Sequence, residues 1–141
     1  MAVLIALVVV VLGAPAAASA AAPVVDSSTY IRDVQAGAAS LQRFGAILES
    51  TQDLPDLVAK SNRARVLLTQ FDRRFYVMSR YRVVSPILNR QRARLARTSP
   101  PVTAILSRFL DAALMEDLDE VTRLAPIAIG RINAFQRAAG G

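Results

Sequence analysis

The amino-acid sequence predicts an all-α protein: an antiparallel up-and-down four-helix bundle, with five helices as an alternative, after an N-terminal hydrophobic segment. Three observations support this fold class. Beyond residue 26, apolar side chains recur at intervals of three and four, which places them on one face of a helix. Most Gly and Pro residues fall near the ends of these stretches. No strand-like alternation or solenoid-length repeat stands out, so several helices are expected to bury these faces against one another.

The N-terminal segment, residues 1–25, carries no charged side chain and is predicted to be a signal peptide or a membrane anchor. Residues 2–12 form an unbroken apolar run, and Ala18-Ser19-Ala20 fits the small-x-small pattern that is cleaved after its last residue. Residues 2–25 are also long enough to span a bilayer, so a retained anchor is the alternative. The protein is therefore expected to be exported (extracellular, periplasmic or lumenal) or membrane-anchored, with residues 26–141 as the helical-bundle domain.

Two apolar stripes predict the first two helices. The first helix is expected from about Ser28 to Ser50. The second is expected to start near Leu54 with Asp53 as its N-cap, and to end by Ser85, because the proline that follows disfavours α geometry in the residue before it. The first stripe contains Tyr30, Val34, Gly37, Leu41, Phe44 and Leu48, and the second contains Leu57, Ser61, Ala64, Leu68, Phe71, Phe75 and Met78.

Two more helices are predicted in the rest of the chain. One begins at Pro86, and the run Thr98-Ser99-Pro100-Pro101 is expected to break it and start a new helix, which would give five helices in all. The last helix is expected to begin at Asp117, with Glu120 at the capping-box spacing. Its apolar stripe keeps the same phase through Pro126, which predicts a kink there rather than an end.

The composition excludes several classes of function. The chain has no Cys and no His, so disulfides, imidazole or thiolate metal sites, and Ser–His or Cys–His nucleophile pairs are ruled out. No phosphate-binding Gly loop is present, and no carboxylate pair has neighbours that would raise its pKa. The acidic cluster Glu116, Asp117, Asp119 and Glu120 is expected to be a helix junction rather than a hard-cation site. We therefore predict no enzyme activity, no catalytic residue, no metal and no cofactor.

Positive charge is concentrated in one part of the chain. Residues 60–97 contain eleven basic side chains and one acidic side chain, Asp72, whereas the remaining charged segments are slightly acidic. At about 100° per residue, Arg90, Arg94 and Arg97 fall on one helix face. The side chains predicted to bind an anionic surface are Arg73, Arg74, Arg80, Arg82, Arg90, Arg94 and Arg97.

This basic region has two interpretations. It is either a solvated face, partly neutralised by acidic residues of neighbouring helices, or a docking surface for an anionic membrane, an envelope polymer or a protein partner. Nucleic acid is not expected as a partner, because the chain is expected to be exported and its aromatic residues are not interleaved for base stacking. Tyr76 and Tyr81 lie in the region and are expected to belong to the core stripe or to lie beside it. The oligomeric state is not predicted.

Two alternative functions remain open. In layout, an export segment followed by an up-and-down bundle of basic character, the chain resembles the lumenal extrinsic subunits of photosystem II, although no specific motif aligns. That resemblance implies an accessory subunit of a membrane complex. The other alternative is a carrier of a small apolar ligand, which needs a cavity in the bundle core. The small residues Gly37, Gly45 and Ala64 would either leave such a cavity or bring two helices closer together.

Overall fold

Four long helices and one short pair of strands make up the structure, a computed structural model that describes residues 22–140. The elements are β1 (Val24–Val25), α1 (Ser27–Ser50), α2 (Leu54–Ser79), β2 (Arg82–Val83), α3 (Pro86–Leu114) and α4 (Leu118–Gly140). The all-α fold class is confirmed. The predicted signal or anchor lies almost entirely outside the described residues. Within residues 22–140, none of the four helices contains a stretch that is both long and apolar enough to cross a membrane.

Every helix begins at a side-chain cap. In each case a side-chain oxygen accepts the backbone N–H of the residue three positions later, which satisfies one of the free donors at the helix start. The predicted caps at Asp53 and at the start of the last helix are confirmed. The capping residues and their distances are Asp26 (2.7 Å), Asp53 (2.9 Å), Ser85 (3.3 Å) and Asp117 (3.1 Å).

The helices alternate in direction, and each packs mainly against the next one in sequence. At one end of the bundle, the Tyr30 hydroxyl of α1 donates to Gln91 Oε1 of α3 at 2.6 Å, and Gln91 Nε2 donates to the Ala139 carbonyl of α4 at 2.6 Å. This end also contains the β1–β2 pair, and we call it the strand end. The opposite end contains the α1–α2 and α3–α4 connections, and we call it the turn end.

The core is built from the predicted stripes. Its centre is an aromatic cluster of Phe71, Phe75 and Phe135, which joins α2 to α4. The ring of Phe135 lies edge-on to Phe71 at 5.3 Å and to Phe75 at 5.1 Å, measured between ring centroids. Gly37 of α1 lies directly against this cluster: a Cβ atom at that position would come within 2.4 Å of Phe75 Cε2. Of the two alternatives for these small residues, close helix approach is the one found at Gly37. At Gly45, nothing outside the backbone of its own helix lies within 4 Å of a Cβ atom.

The predicted break in the third helix, and with it the fifth helix, is wrong. α3 continues through Pro100 and Pro101, whose side chains are exposed, while Ser99 and Val102 beside them are buried in the core. The prolines remove two backbone donors on the solvent side, where water can bond the freed carbonyls. The packing of the buried side keeps the helix in register. The last helix likewise continues through Pro126, as the phase of its stripe predicted.

A short parallel strand pair lies at the strand end, where no strand was expected. Val24 pairs with Arg82 and Val25 with Val83; the Arg82 N–H donates to the Pro23 carbonyl at 2.8 Å and the Val84 N–H to the Val25 carbonyl at 3.0 Å. Two residues per strand are too few to produce a detectable sequence alternation. The pair holds the chain that precedes α1 against the α2–α3 connection.

The buried phenol of Tyr30 predicts a loss of stability at high pH. Burial raises the pKa of Tyr30 to about 12, whereas a tyrosine in an unfolded chain ionises near 10. Between these values the unfolded state binds fewer protons, so the free energy of unfolding falls by up to about 1.4 kcal/mol per pH unit as the pH rises. The free energy of unfolding, measured with urea across this pH range, should fall less steeply with pH for Tyr30→Phe than for the wild type. An unchanged slope would contradict the burial of this phenol.

Candidate anionic-surface site

The predicted arginines lie in two separate regions. Arg74, Arg80, Arg82 and Arg90 lie towards the strand end, at the end of α2, in β2 and at the start of α3. Arg74 is partly neutralised there, because its Nη1 lies 3.0 Å from Asp33 Oδ1. Arg73 is adjacent to Arg74 but points to another exposed side of α2, and Arg94 and Arg97 lie farther along α3.

Arg94 and Arg97 line a groove between α3 and α4, together with Arg137 of α4. The groove has a volume of about 360 Å³, and Thr98, Ala134 and Ala138 complete its lining. On each helix the second and third lining residues follow the first by three and four positions, so all three share one face. Because the side chains of the two alanines are small, the space between the guanidinium groups stays open. We call this surface, defined by Arg94, Arg97 and Arg137, the arginine groove.

The lining of the arginine groove contains no carboxylate. Within residues 22–140, five ion pairs are formed, and their cations are Lys60, Arg65, Arg74, Arg108 and Arg123. None of these belongs to the groove. The expected neutralisation by acidic residues of neighbouring helices therefore operates elsewhere on the bundle, and the three groove arginines keep their charge exposed.

The acidic cluster at the start of α4 is occupied by contacts of its own. Asp117 caps α4, and Glu120 bonds Arg123 and Arg108. The hydrogen bond from Arg123 is the main reason that the pKa of Glu120 lies below its ordinary value. Among the described residues, no group of carboxylates is arranged to hold a metal ion. The cluster lies at the turn end, so it does not offset the charge of the arginine groove.

Three positive charges in one groove suit an anionic partner that presents several oxygens. A guanidinium group presents fixed N–H donors that match two oxygens of a phosphate or carboxylate at once. Arg137 lies in the last turn of α4, where the free carbonyls of the helix end favour a cation. The attraction between Arg137 and these carbonyls offsets part of the repulsion among the three arginines, and it leaves the space between them open. The groove can therefore receive anionic oxygens from solvent.

Sequence reasoning missed Arg137, because the charge of residues 98–141 sums to slightly negative. The available signal was its position near the end of a predicted helix, on the same face as two alanines.

Arg92 has a different role, because it connects α2 to α3. Its Nη1 donates to the Met78 carbonyl at 3.1 Å and its Nε donates to Asn89 Oδ1 at 3.0 Å. Tyr81 is buried as expected, but Tyr76 is 63% exposed, so its expected place in or beside the core is wrong.

The small residues of α1 and α2 do not support a ligand cavity at their contact. Gly37 is filled by the Phe75 ring, and Ala64 is completely buried. A separate groove of about 340 Å³ lies at the turn end, and its apolar lining includes Leu54, Leu57 and Val121.

Comparison with protein families, with curated proteins and with solved structures finds no match. The photosystem resemblance therefore gains no support beyond its general layout. The function has to be inferred from the geometry of this molecule alone.

Proposed function

We propose that the protein is a non-enzymatic, exported helical bundle that docks on an anionic membrane surface through the arginine groove. The observation that carries this proposal is the convergence of Arg94, Arg97 and Arg137 in one exposed groove whose lining contains no carboxylate. A surface that keeps three cations together without a counter-charge costs stability through repulsion, and an anionic partner removes that cost.

The expected strength is modest and depends on salt. Each Arg or Lys close to an anionic bilayer contributes about 1 kcal/mol, so three contribute roughly 3 kcal/mol, or about a hundredfold in affinity. The net charge of +6 adds long-range attraction. These contacts are exposed, and salt therefore weakens them once the Debye length becomes shorter than the contact distance.

The direct test is sedimentation with lipid vesicles. The chain beginning at Ala21 is the form to use, because it corresponds to cleavage after Ala20 and lacks the apolar residues 2–12, which could insert by themselves. It keeps the packed residues from Val25 to Ala139. We expect it to bind vesicles of phosphatidylglycerol and phosphatidylcholine at low salt, and to be released at about 1 M salt, where the Debye length is about 3 Å.

Vesicles of phosphatidylcholine alone are the control, and they should bind far less protein. Equal binding to both vesicle types, or no binding to anionic vesicles at low salt, would contradict the proposal. Binding to an anionic polymer such as a teichoic acid or polyphosphate, but not to vesicles, would contradict the membrane as the partner.

Sequencing the N-terminus of the protein from its native source separates the exported form, which would begin at Ala21, from one anchored by residues 2–25.

The accessory-subunit alternative is favoured by a different observation, at the turn end. Met115 and Leu118 are 81% and 74% exposed, and Leu118 borders the apolar groove described above. A subunit that packs there by apolar contact should stay associated with membranes at high salt and should lose that association when both side chains are replaced by serine. Salt-sensitive association that survives these replacements would exclude this alternative.

A further inference from the structure

The outer surface of the strand end carries large apolar side chains that face water. Along a strand, successive side chains point to opposite faces. Val83 accordingly points into the core, whereas its outward-facing neighbour Val84 is 67% exposed. Val24, on the paired strand, is 64% exposed, and Ile87, in the first turn of α3, is 70% exposed. We call these three residues, Val24, Val84 and Ile87, the apolar tip.

Cations lie at the same end of the bundle as the apolar tip. Arg80, Arg82 and Arg90 are all exposed at the strand end. Two acidic residues lie at this end. Asp26 caps α1 and accepts hydrogen bonds from Thr29 and Ser28, and Asp33 pairs with Arg74 and accepts a hydrogen bond from the Tyr81 hydroxyl. Apolar side chains bordered by arginines match the boundary of an anionic bilayer, where the apolar groups reach the acyl region and the cations remain with the phosphates.

The position of the tip agrees with the direction of the chain. The hydrophobic segment that precedes residue 22 joins the bundle at β1, and β1 is hydrogen-bonded to β2 beside the apolar tip. Where residues 2–25 are retained as an anchor, this end of the bundle is therefore the one held at the membrane. At 1.5 Å per residue, Arg94 and Arg97 lie roughly 12–17 Å along α3 from Pro86. If the bundle lies with its α3–α4 side tilted towards the membrane, the apolar tip and the arginine groove contact the same membrane surface.

We infer that the apolar tip inserts into the interfacial layer of an anionic bilayer, so that the bundle docks with its strand end towards the membrane. This inference rests on the proposed function and adds an orientation to it. The groove and the surrounding arginines supply the electrostatic attraction, and Val24, Val84 and Ile87 supply the contact with the acyl chains.

Tryptophan fluorescence tests this insertion directly, because the protein contains no Trp. Val84→Trp places a single reporter in the tip, and Met115→Trp places a matched reporter at the exposed turn end. Both are introduced into the chain beginning at Ala21. With anionic vesicles, Val84→Trp should shift to shorter wavelength and be quenched by brominated lipids, while Met115→Trp should do neither.

A second pair of variants measures what the tip contributes. Val84→Ser with Ile87→Ser should weaken binding to anionic vesicles about tenfold. Met115→Ser with Leu118→Ser, the same kind of change at the opposite end, should leave it unchanged. All four positions are largely exposed, so the helical circular dichroism of both double variants should match that of the wild type.

The outcomes separate the inference from the proposed function. If the protein sediments with anionic vesicles but Val84→Trp stays solvent-exposed, the insertion is overturned and electrostatic docking stands. A blue shift of Val84→Trp without vesicles would overturn it in favour of contact between two copies of the chain. If the wild type does not sediment at all, the proposed function fails and the insertion fails with it.

Discussion

Replacing Phe135 by alanine is expected to lower the free energy of unfolding by about 3–5 kcal/mol. The ring is 4% exposed and is the only contribution of α4 to the aromatic cluster with Phe71 and Phe75. Its loss removes both edge-to-face contacts and leaves a cavity between α2 and α4. Bundles of this size are stable by only about 5–15 kcal/mol, so the variant should lose a large share of its stability.

Chemical denaturation followed by circular dichroism measures this effect, with Tyr76→Ala as the matched control. Tyr76 is also aromatic and helical, but it is 63% exposed, so its replacement should change stability by about 0.5 kcal/mol or less. A Phe135→Ala variant as stable as Tyr76→Ala would show that α4 does not close the core in the way described.

Gly37→Ala is expected to lower the free energy of unfolding by about 1–2 kcal/mol, although alanine is the better helix former. The added methyl group would lie 2.4 Å from Phe75 Cε2 and 2.9 Å from Phe75 Cζ. The ring cannot move away easily, because it is 1% exposed and packed against two other aromatic rings. Overpacking of this kind costs about 1–3 kcal/mol, and the overlap here is severe enough to exceed the gain of about 1 kcal/mol in helix propensity.

Gly45→Ala, in the same helix, should have the opposite sign. Outside the neighbouring backbone of its own helix, no atom lies within 4 Å of a methyl group at Gly45, so only the propensity gain remains and the protein should become about 1 kcal/mol more stable. Thermal or urea unfolding of the two variants side by side removes most systematic error. Equal effects at the two glycines would contradict the close α1–α2 contact at Gly37.

The helices could be predicted well from the sequence, because the side chains that a helix buries recur every three or four residues and this repeat is visible in a short segment. Phe44 and Phe71 fell on stripes with intervals of three and four, and both are buried in the core. The failure at Pro100 and Pro101 has a physical reason. A pair of prolines is a strong local signal for a helix end, but whether the freed carbonyls face water or core depends on the packing of the whole helix.

The site was predicted only in part, because a groove between two helices is a long-range feature. The shared face of Arg94 and Arg97 follows from periodicity along one helix. Their proximity to Arg137 depends on how α3 and α4 align, which a count of charges along the chain cannot reveal. The same limit applies to Arg74, whose neutralisation by Asp33 involves a residue 41 positions away.

A comparison of two charge-matched double variants on anionic vesicles tests the central claim most directly. Arg94→Gln with Arg97→Gln removes two cations from the arginine groove, and Arg43→Gln with Arg63→Gln removes two exposed cations from α1 and α2. Both lower the net charge by two. We expect the groove variant to bind about thirtyfold more weakly and the control to stay within about threefold of the wild type. Equal losses in the two variants would show that binding follows net charge alone, and would contradict docking through the groove.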